Sequence, residues 1–286
     1  MQKINGRKIA DDILENLKNE VAILKTKYDI IPTVAIIQVG NNQASSIYIK
    51  NKQKTAEKIG SEANIIKFPL EVSEKEIIEK IISLNDNKKI NGILVQLPLP
   101  KQINEETIMS IISPSKDVDC FHKENIGNLW SSKNNCDILK PCTPDGIIEL
   151  IKQSNLPISG KHVVIIGRSN IVGKPLIALF LLENATVTVC HSKTEDLISI
   201  TKTADILVVA IGKSKFINSK FVKKGACVID VGINYDSEGK LCGDVDYDSF
   251  DDLSGWITPV PGGVGPMTIT MLVSNLIKLT KKQHKI

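Results

Sequence analysis

The sequence predicts an α/β chain of two domains, each built on a mainly parallel sheet. Three observations carry that expectation. Short apolar, β-branched runs such as Thr33–Val39 (TVAIIQV) and Val163–Ile166 (VVII) suit strands buried on both faces. Helical stripes alternate with these runs, which is the pattern of right-handed crossovers. A Pro-rich turn, Lys140–Gly146 (KPCTPDG), divides the runs into two series and marks the expected boundary.

At 286 residues the chain is long enough for one large domain or two of ordinary size. Its apolar and charged fractions are those of a folded globular protein. The net charge of +4 is small, and the lysines are scattered among Asp and Glu. A nucleic-acid surface would gather them on one face, so no nucleic-acid partner is expected. The longest wholly apolar run, Leu176–Leu182, is too short to span a bilayer, and residues 1–14 lack the apolar core of a signal peptide. No membrane partner is expected, and a cytoplasmic setting is. The cysteines (Cys120, Cys136, Cys142, Cys190, Cys227, Cys242) contain no C-x-x-C pair and no metal-like spacing. They read as reduced, packed thiols, and no metal site is expected.

In the first series, apolar residues at 9, 13, 14, 17, 21 and 24 predict a helix from Ile4 to about Lys27. The strand Thr33–Val39, a helix Ala44–Ile59 and a strand Asn64–Phe68 follow. Ser73 then opens a third helix through a capping box to Glu76, and Ile93–Leu97 is the third strand. Ligands of such sheets sit beyond the carboxyl ends of the strands. Three features gather there. Ser45, Tyr48 and Lys52 share one helix face. Gln96 places an amide in an apolar strand end, where something polar should meet it. Asp117-Val118-Asp119 points two carboxylates to opposite sides if extended. Each taken alone also fits an ordinary surface helix, a backbone-satisfied amide or solvated loop acids.

In the second series, Thr143 is placed to cap a helix beginning near Pro144. Strands are expected at 163–166, Ala185–Cys190, Ile206–Ile211 and Ala226–Val231. The first ends in Gly167-x-Ser169-x-x-x-Gly173, and a helix is expected from Ile171 to Glu183. Such a turn leaves N–H groups at the positive end of a helix dipole, a seat for phosphate, although it also fits any βα turn. An NAD enzyme usually places an acid about 20 residues further on, at the end of the second strand. Here stand Cys190, His191, Ser192 and Lys193, groups that suit a 2′-phosphate, so a Rossmann-type domain for NADP is expected. Asp236–Leu241 reads as a hairpin turned at Glu238-Gly239. Thr258–Thr268 (TPVPGGVGPMT) holds three glycines and three prolines, a shaped backbone that a ligand can approach closely. A helix from Met267 to about Lys281 follows.

Several of these stretches together resemble one family over essentially the whole chain. They are Tyr48-x-x-x-Lys52, GILVQLPLP at 92–100, Asp117-Val-Asp119, PCTPDG at 141–146, GRSxIVGxP at 167–175 and PGGVGPMT at 261–268. They look like the bifunctional methylenetetrahydrofolate dehydrogenase/methenyltetrahydrofolate cyclohydrolase family, the bacterial FolD type. The resemblance implies an N-terminal three-layer α/β folate-binding and catalytic domain, residues 1–140, completed by a C-terminal helix at 268–286. It implies a Rossmann-type NADP-binding domain at 141–267 and a cleft between the two.

The activity implied is NADP-dependent oxidation of 5,10-methylenetetrahydrofolate, then hydrolysis to 10-formyltetrahydrofolate, by a cytoplasmic homodimer in one-carbon metabolism that serves purine biosynthesis. Lys52 would be the central catalytic group, with Tyr48 near the pterin, Gln96 orienting the lysine and Asp119 anchoring the pterin. Gly167, Arg168, Ser169, Gly173, His191 and Ser192 would hold the cofactor's phosphates, with Ile233 and Thr268 near the nicotinamide. Pro261, Gly262 and Gly263 would meet the folate. The family usually reads Asp-Val-Asp-Gly where this chain has Cys120. If that position takes φ > 0, cysteine costs about 1–2 kcal/mol there. Two other readings explain fewer of these stretches: a shikimate-dehydrogenase-like NADP oxidoreductase, and a non-catalytic folate- or nucleotide-binding protein.

Overall fold

The computed structural model describes residues 1–133, 138–250 and 253–286, apart from the side chains of residues 43 and 44. Cys136 lies outside the described residues. The first part of the chain runs through β1 (Gln2–Lys3), α1 (Gly6–Tyr28), β2 (Thr33–Val39), α2 (Gln43–Lys58), β3 (Glu62–Phe68), α3 (Glu74–Asp86) and β4 (Gly92–Val95). Three helices follow: α4 (Glu105–Ile111), α5 (Lys123–Ser131) and α6 (Cys142–Gln153). Next come β5 (His162–Ile166), α7 (Gly173–Leu182), β6 (Thr186–Cys190), α8 (Leu197–Thr201), β7 (Ile206–Val209) and β8 (Cys227–Asp230). The chain finishes with β9 (Asn234–Tyr235), β10 (Leu241–Cys242), β11 (Trp256–Ile257) and α9 (Val264–His284). None of the helices among the described residues is long and apolar enough to cross a membrane.

The chain forms two compact α/β units with parallel sheets. The smaller sheet belongs to the unit of Asp12–Asn128, Ile138–Lys140 and Ile269–Ile286. Its three strands are parallel in the order β3-β2-β4, and every residue of central β2 is buried. One face packs Ala35, Ile37 and Val39 against Ile77, Ile81 and Leu84 of α3. On the other face Gly92 leaves no room for a methyl group, because Val118, Leu276 of α9 and Val34 crowd it. Ser73 caps α3 as expected, accepting from the Glu76 amide while Glu76 accepts from Ser73. The other end of α3 is closed by Lys116, whose buried ammonium donates to the Leu84 and Asn87 carbonyls. Burial lowers the pKa of that ammonium, and the charge of Asp86 opposes the shift.

The other unit comprises Met1–Asp11, the described part of Leu129–Asp137, and Pro141–Thr268. Its sheet is parallel throughout, in the order β1-β11-β8-β7-β5-β6. The outer pair β1 and β11 has two residues per strand, too few to show any period, and the sequence analysis does not anticipate it. β9 and β10 form the expected hairpin, closed by the Asp236 amide on the Lys240 carbonyl. Five cysteines, Cys120, Cys142, Cys190, Cys227 and Cys242, are free and buried. Burial pushes the Cys227 thiol up to about 12, well out of the range of a reactive thiolate.

Three expectations need correction. Thr143 does not cap α6; Pro141 holds that position with no side-chain bond, and Thr143 lies inside the first turn. Its hydroxyl instead pairs with that of Thr268 at 3.0 Å. α7 begins at Gly173, not Ile171, because a Cβ at Gly173 would lie 2.3 Å from the Gly167 carbonyl oxygen and the turn must close first. α9 begins at Val264, so half of the TPVPGGVGPMT stretch is helical. Pro266 fits there because a first-turn residue needs no N–H partner within the helix.

The start of α1 is seated on that same stretch. A Cβ at Gly6 would fall 2.0 Å from the Gly263 oxygen, and the Arg7 amide donates to the Gly262 carbonyl at 3.0 Å. Gly263 is equally confined, 2.5 Å from the Pro259 oxygen, and Gly262 has φ +102. Gly6→Ala is therefore expected to lower the unfolding free energy by about 1–3 kcal/mol in urea melts. Gly127→Ala, at an exposed site of α5 with nothing within 4 Å, should raise it by about 0.5–1 kcal/mol.

Candidate functional site

The carboxyl edge of the three-stranded sheet gathers the first set of polar side chains. Asn42 caps α2 by accepting the Ser45 amide at 3.0 Å. Buried Ser45, Ile49 and Ala56 turn one face of that helix inward, and Tyr48 and Lys52 lie half-buried along it. Gln96 directly follows β4, and its amide still donates to Ile37, extending the ladder to β2 by one rung. Its side chain is fixed at both ends. Nε2 donates to the Leu97 carbonyl at 2.7 Å, and Oε1 accepts from Lys52 Nζ at 3.0 Å. The polar partner that the strand-end amide calls for is Lys52.

Asp117–Asp119 runs beside β4, with Asp117 bridged to Ile93. The two carboxylates have different surroundings. Asp117 is buried and accepts from the His122 amide at 2.8 Å and from Asn125 Nδ2 at 3.0 Å. Burial raises its pKa, and those hydrogen bonds act against the rise. Asp119 lies deep among protein atoms yet keeps a partial opening to solvent. Burial pushes its carboxyl up to about 6; the Lys52 charge pulls it down and Asp117 adds repulsion. Cys120 next to it has φ +59, so the cost of a non-glycine residue in the left-handed region applies, with the side chain wholly enclosed.

The sequence analysis passes over one residue here. Asn275 of α9 is fully buried and donates from Nδ2 to both the Val118 and Lys140 carbonyls, each at 2.9 Å. It thereby holds the backbone between the two aspartates. An amide within an apolar helical run is the signal that could have found it.

In the other unit, Gly167 has φ +126, and a Cβ there would meet the Ala210 oxygen at 2.2 Å. With Gly173 pressed on the Gly167 carbonyl, the G-x-S-x-x-x-G spacing follows from packing alone. Ser169 Oγ accepts from the Val172 and Gly173 amides at 3.2 and 3.4 Å, at the start of α7. Arg168 and Ser169 are exposed. β5 and β6 are neighbours, and the Gly167 amide donates to Cys190, so this turn and His191-Ser192-Lys193 emerge side by side. The His191 amide donates to Thr194 Oγ1 at 2.8 Å and Nδ1 accepts from the Lys193 amide, leaving Ser192 and Lys193 exposed. Ile233, just past β8, is 48% exposed. Thr268 opens toward Thr143 in the first turns of α9 and α6, and Pro261, Gly262 and Gly263 belong to this unit as well. Among the described residues no three His, Cys, Asp or Glu side chains are grouped to hold a metal ion.

Comparison with known proteins matches two family models along the chain. Residues 4–119 match the catalytic domain of tetrahydrofolate dehydrogenase/cyclohydrolase, and residues 141–284 match its NAD(P)-binding domain. The bifunctional protein FolD of Bacillus cytotoxicus is 53% identical over 279 residues, 98% of this chain and 96% of that protein. The crystal structure of the FolD methylenetetrahydrofolate dehydrogenase/cyclohydrolase from Campylobacter jejuni superposes with a TM-score of 0.95 at 42% identity, covering 99% of both chains. The Trypanosoma brucei FolD, solved with NADP and an inhibitor, gives 0.94 at 37% identity, covering 99% of this chain and 98% of that one. The chain belongs to the tetrahydrofolate dehydrogenase/cyclohydrolase family.

Proposed function

We propose that this enzyme oxidises 5,10-methylenetetrahydrofolate to the 5,10-methenyl compound and then hydrolyses that to 10-formyltetrahydrofolate. The observation that carries the residue assignments is the Lys52–Gln96 hydrogen bond, with Asp119 in the field of the same ammonium. Lys52 is the central group of hydrolysis; only as the neutral amine does it take the proton released as water adds to the methenyl carbon. Gln96, pinned by its bond to the Leu97 carbonyl, fixes the direction in which that lysine points. The Asp119 carboxylate accepts two N–H bonds from the aminopyrimidinone edge of the pterin, and the Tyr48 ring lies beside the pterin. Pro261, Gly262 and Gly263 meet the folate through their main chain.

The residues at the ends of β5 and β6 fit NADP. Arg168, Ser169, His191 and Ser192 supply one cation, two hydroxyls and an imidazole, all exposed or half-exposed, and the first acid after them is Glu195. Together with the Gly167 and Gly173 backbone they hold the phosphates, and Ile233 and Thr268 contact the nicotinamide end. NADP, when bound, accepts the hydride from the methylene carbon. That step needs no base from the chain, only positioning. We assign the folate chemistry to residues 1–140 with 268–286, and the cofactor to 141–267. A cytoplasmic homodimer serving purine biosynthesis, with no nucleic-acid or membrane partner, completes the reading and rests on the family resemblance.

Mixing the protein with methylenetetrahydrofolate and NADP should produce methenyl absorbance followed by accelerated decay; absence of NADPH would refute the reading. Lys52→Met should cut hydrolysis of methenyltetrahydrofolate by about 10²–10⁴-fold and leave NADP binding intact. Unchanged hydrolysis would remove Lys52 from the mechanism. Asp119→Asn should raise KM for folate substrates by roughly 10–100-fold, the loss of a charge-assisted pair. The same change should stabilise the ligand-free protein. A carboxyl whose folded pKa of about 6 lies above its unfolded value near 4 favours folding while protonated. That contribution is lost as pH rises between those two values. The melting temperature of Asp119→Asn should therefore exceed that of the wild type above pH 6, and the two should converge below pH 4. Equal melting temperatures at pH 8 would refute the cost assigned to burying Asp119.

A further inference from the structure

Two carboxylates that the reaction does not use are buried at the carboxyl edge of the six-stranded sheet. Asp244 has no exposed surface. Its Oδ2 accepts from the amides of Ile211 and Gly212 at 2.7 and 3.0 Å. Its Oδ1 accepts from the Lys213 amide at 2.7 Å and from Asn234 Nδ2 at 2.9 Å. Asp230, the last residue of β8, supports Asp244 in turn. It accepts the Asp244 amide at 2.9 Å, the Gly232 amide at 3.0 Å and the Val245 amide at 3.0 Å. Space for these carboxylates comes from two glycines. A Cβ at Gly243 would fall 1.7 Å from Asp230 Oδ2, and one at Gly232 would fall 2.4 Å from Asp244 Oδ1.

A buried carboxylate is tolerated only where N–H groups surround it, and these two accept seven N–H bonds between them, four at Asp244 and three at Asp230. The amides it collects belong to the segments that follow β7 and β8. The first begins directly after Ala210, whose carbonyl oxygen touches the Gly167 phosphate turn. The second presents Ile233 between two anchored neighbours, Gly232 and Asn234. Ligands of parallel sheets bind beyond the strand ends from which both segments leave.

We propose that Asp244 is a positioning residue of the cofactor site, holding Ile211–Lys213 and the Ile233 turn in the shape that receives the nicotinamide half of NADP. The adenine half, assigned to Arg168, His191 and Ser192, lies with β5 and β6 and does not depend on this carboxylate. The proposal rests on the NADP reading above, and the two fail differently. Calorimetric titration of the full chain with NADP and with 2′,5′-ADP, the adenine half alone, separates them.

Asp244→Asn should weaken NADP by roughly tenfold, about 1.4 kcal/mol, and leave 2′,5′-ADP and the NADP-independent hydrolysis of methenyltetrahydrofolate unchanged. Gly212→Ala gives a second variant that spares the buried acid. Gly212 has φ +64 with open space around it, so alanine strains the same three amides from the solvent side. It should reproduce the split between the two ligands if Asp244→Asn does not fold. Equal weakening of NADP and 2′,5′-ADP, or loss of hydrolysis in step, would reduce Asp244 to a general stabiliser and overturn the proposal. Undiminished NADP affinity in Gly212→Ala would overturn it too. Wild-type protein binding neither ligand would overturn the cofactor assignment itself, and this proposal with it.

Discussion

A parallel strand that ends at the edge of its sheet must hand its last backbone groups to something other than another rung. Both units meet that requirement with side chains that carry their own fixed orientation. At β4 it is an amide, Gln96, joined to the Leu97 carbonyl and to Lys52. At β7 and β8 it is a pair of carboxylates, Asp244 and Asp230, ringed by amides. Such groups are costly to bury alone and nearly free to bury when satisfied, so they leave the neighbouring backbone little choice of conformation. The loops that leave these strands are thereby tied to the sheet through side chains.

The same economy explains the tension at Asp119. Two carboxylates stand close together there, and each carries the cost of burial. Burial raises the pKa of both, Asp119 to about 6; Asp117, two residues earlier, takes the His122 amide and Asn125, whose bonds oppose the rise, and at Asp119 the Lys52 charge opposes it. Cys120 adds a left-handed backbone position without glycine. Costs of this kind, gathered in one corner, are how functional sites commonly differ from the core around them.

The strands with β-branched runs, the capping box at Ser73, the Glu238-Gly239 hairpin and the pairing of Gln96 with a polar partner were all legible in the sequence, because each is a local pattern. β1 and β11 were not, since two residues have no period and their pairing depends on chain ends far apart. Thr143 misled for a related reason: a hydroxyl beside a proline has the composition of a cap, but its partner, Thr268, is 125 positions away. Asp230, Asp244 and Asn275 stood in view as residue types, yet their meaning lies in which distant amides they collect. Glycines told a mixed story. Gly167 and Gly173 looked like a phosphate motif, and their spacing turns out to be required by backbone contact alone.

The first strand has a consequence for how the chain comes to be folded. Residues 1–11 complete the sheet that is otherwise drawn from the second half, and residues 269–286 complete the unit drawn mostly from the first. Each unit is assembled from segments far apart in the sequence, so neither is the product of one continuous stretch. Contacts as remote as Gln2 with Trp256 and Asn91 with Gln283 must close late and at long range. Cutting the gene at the apparent midpoint would give two fragments each missing a piece held by the other. The protein is thus two units in architecture, each stitched together from remote parts of one chain.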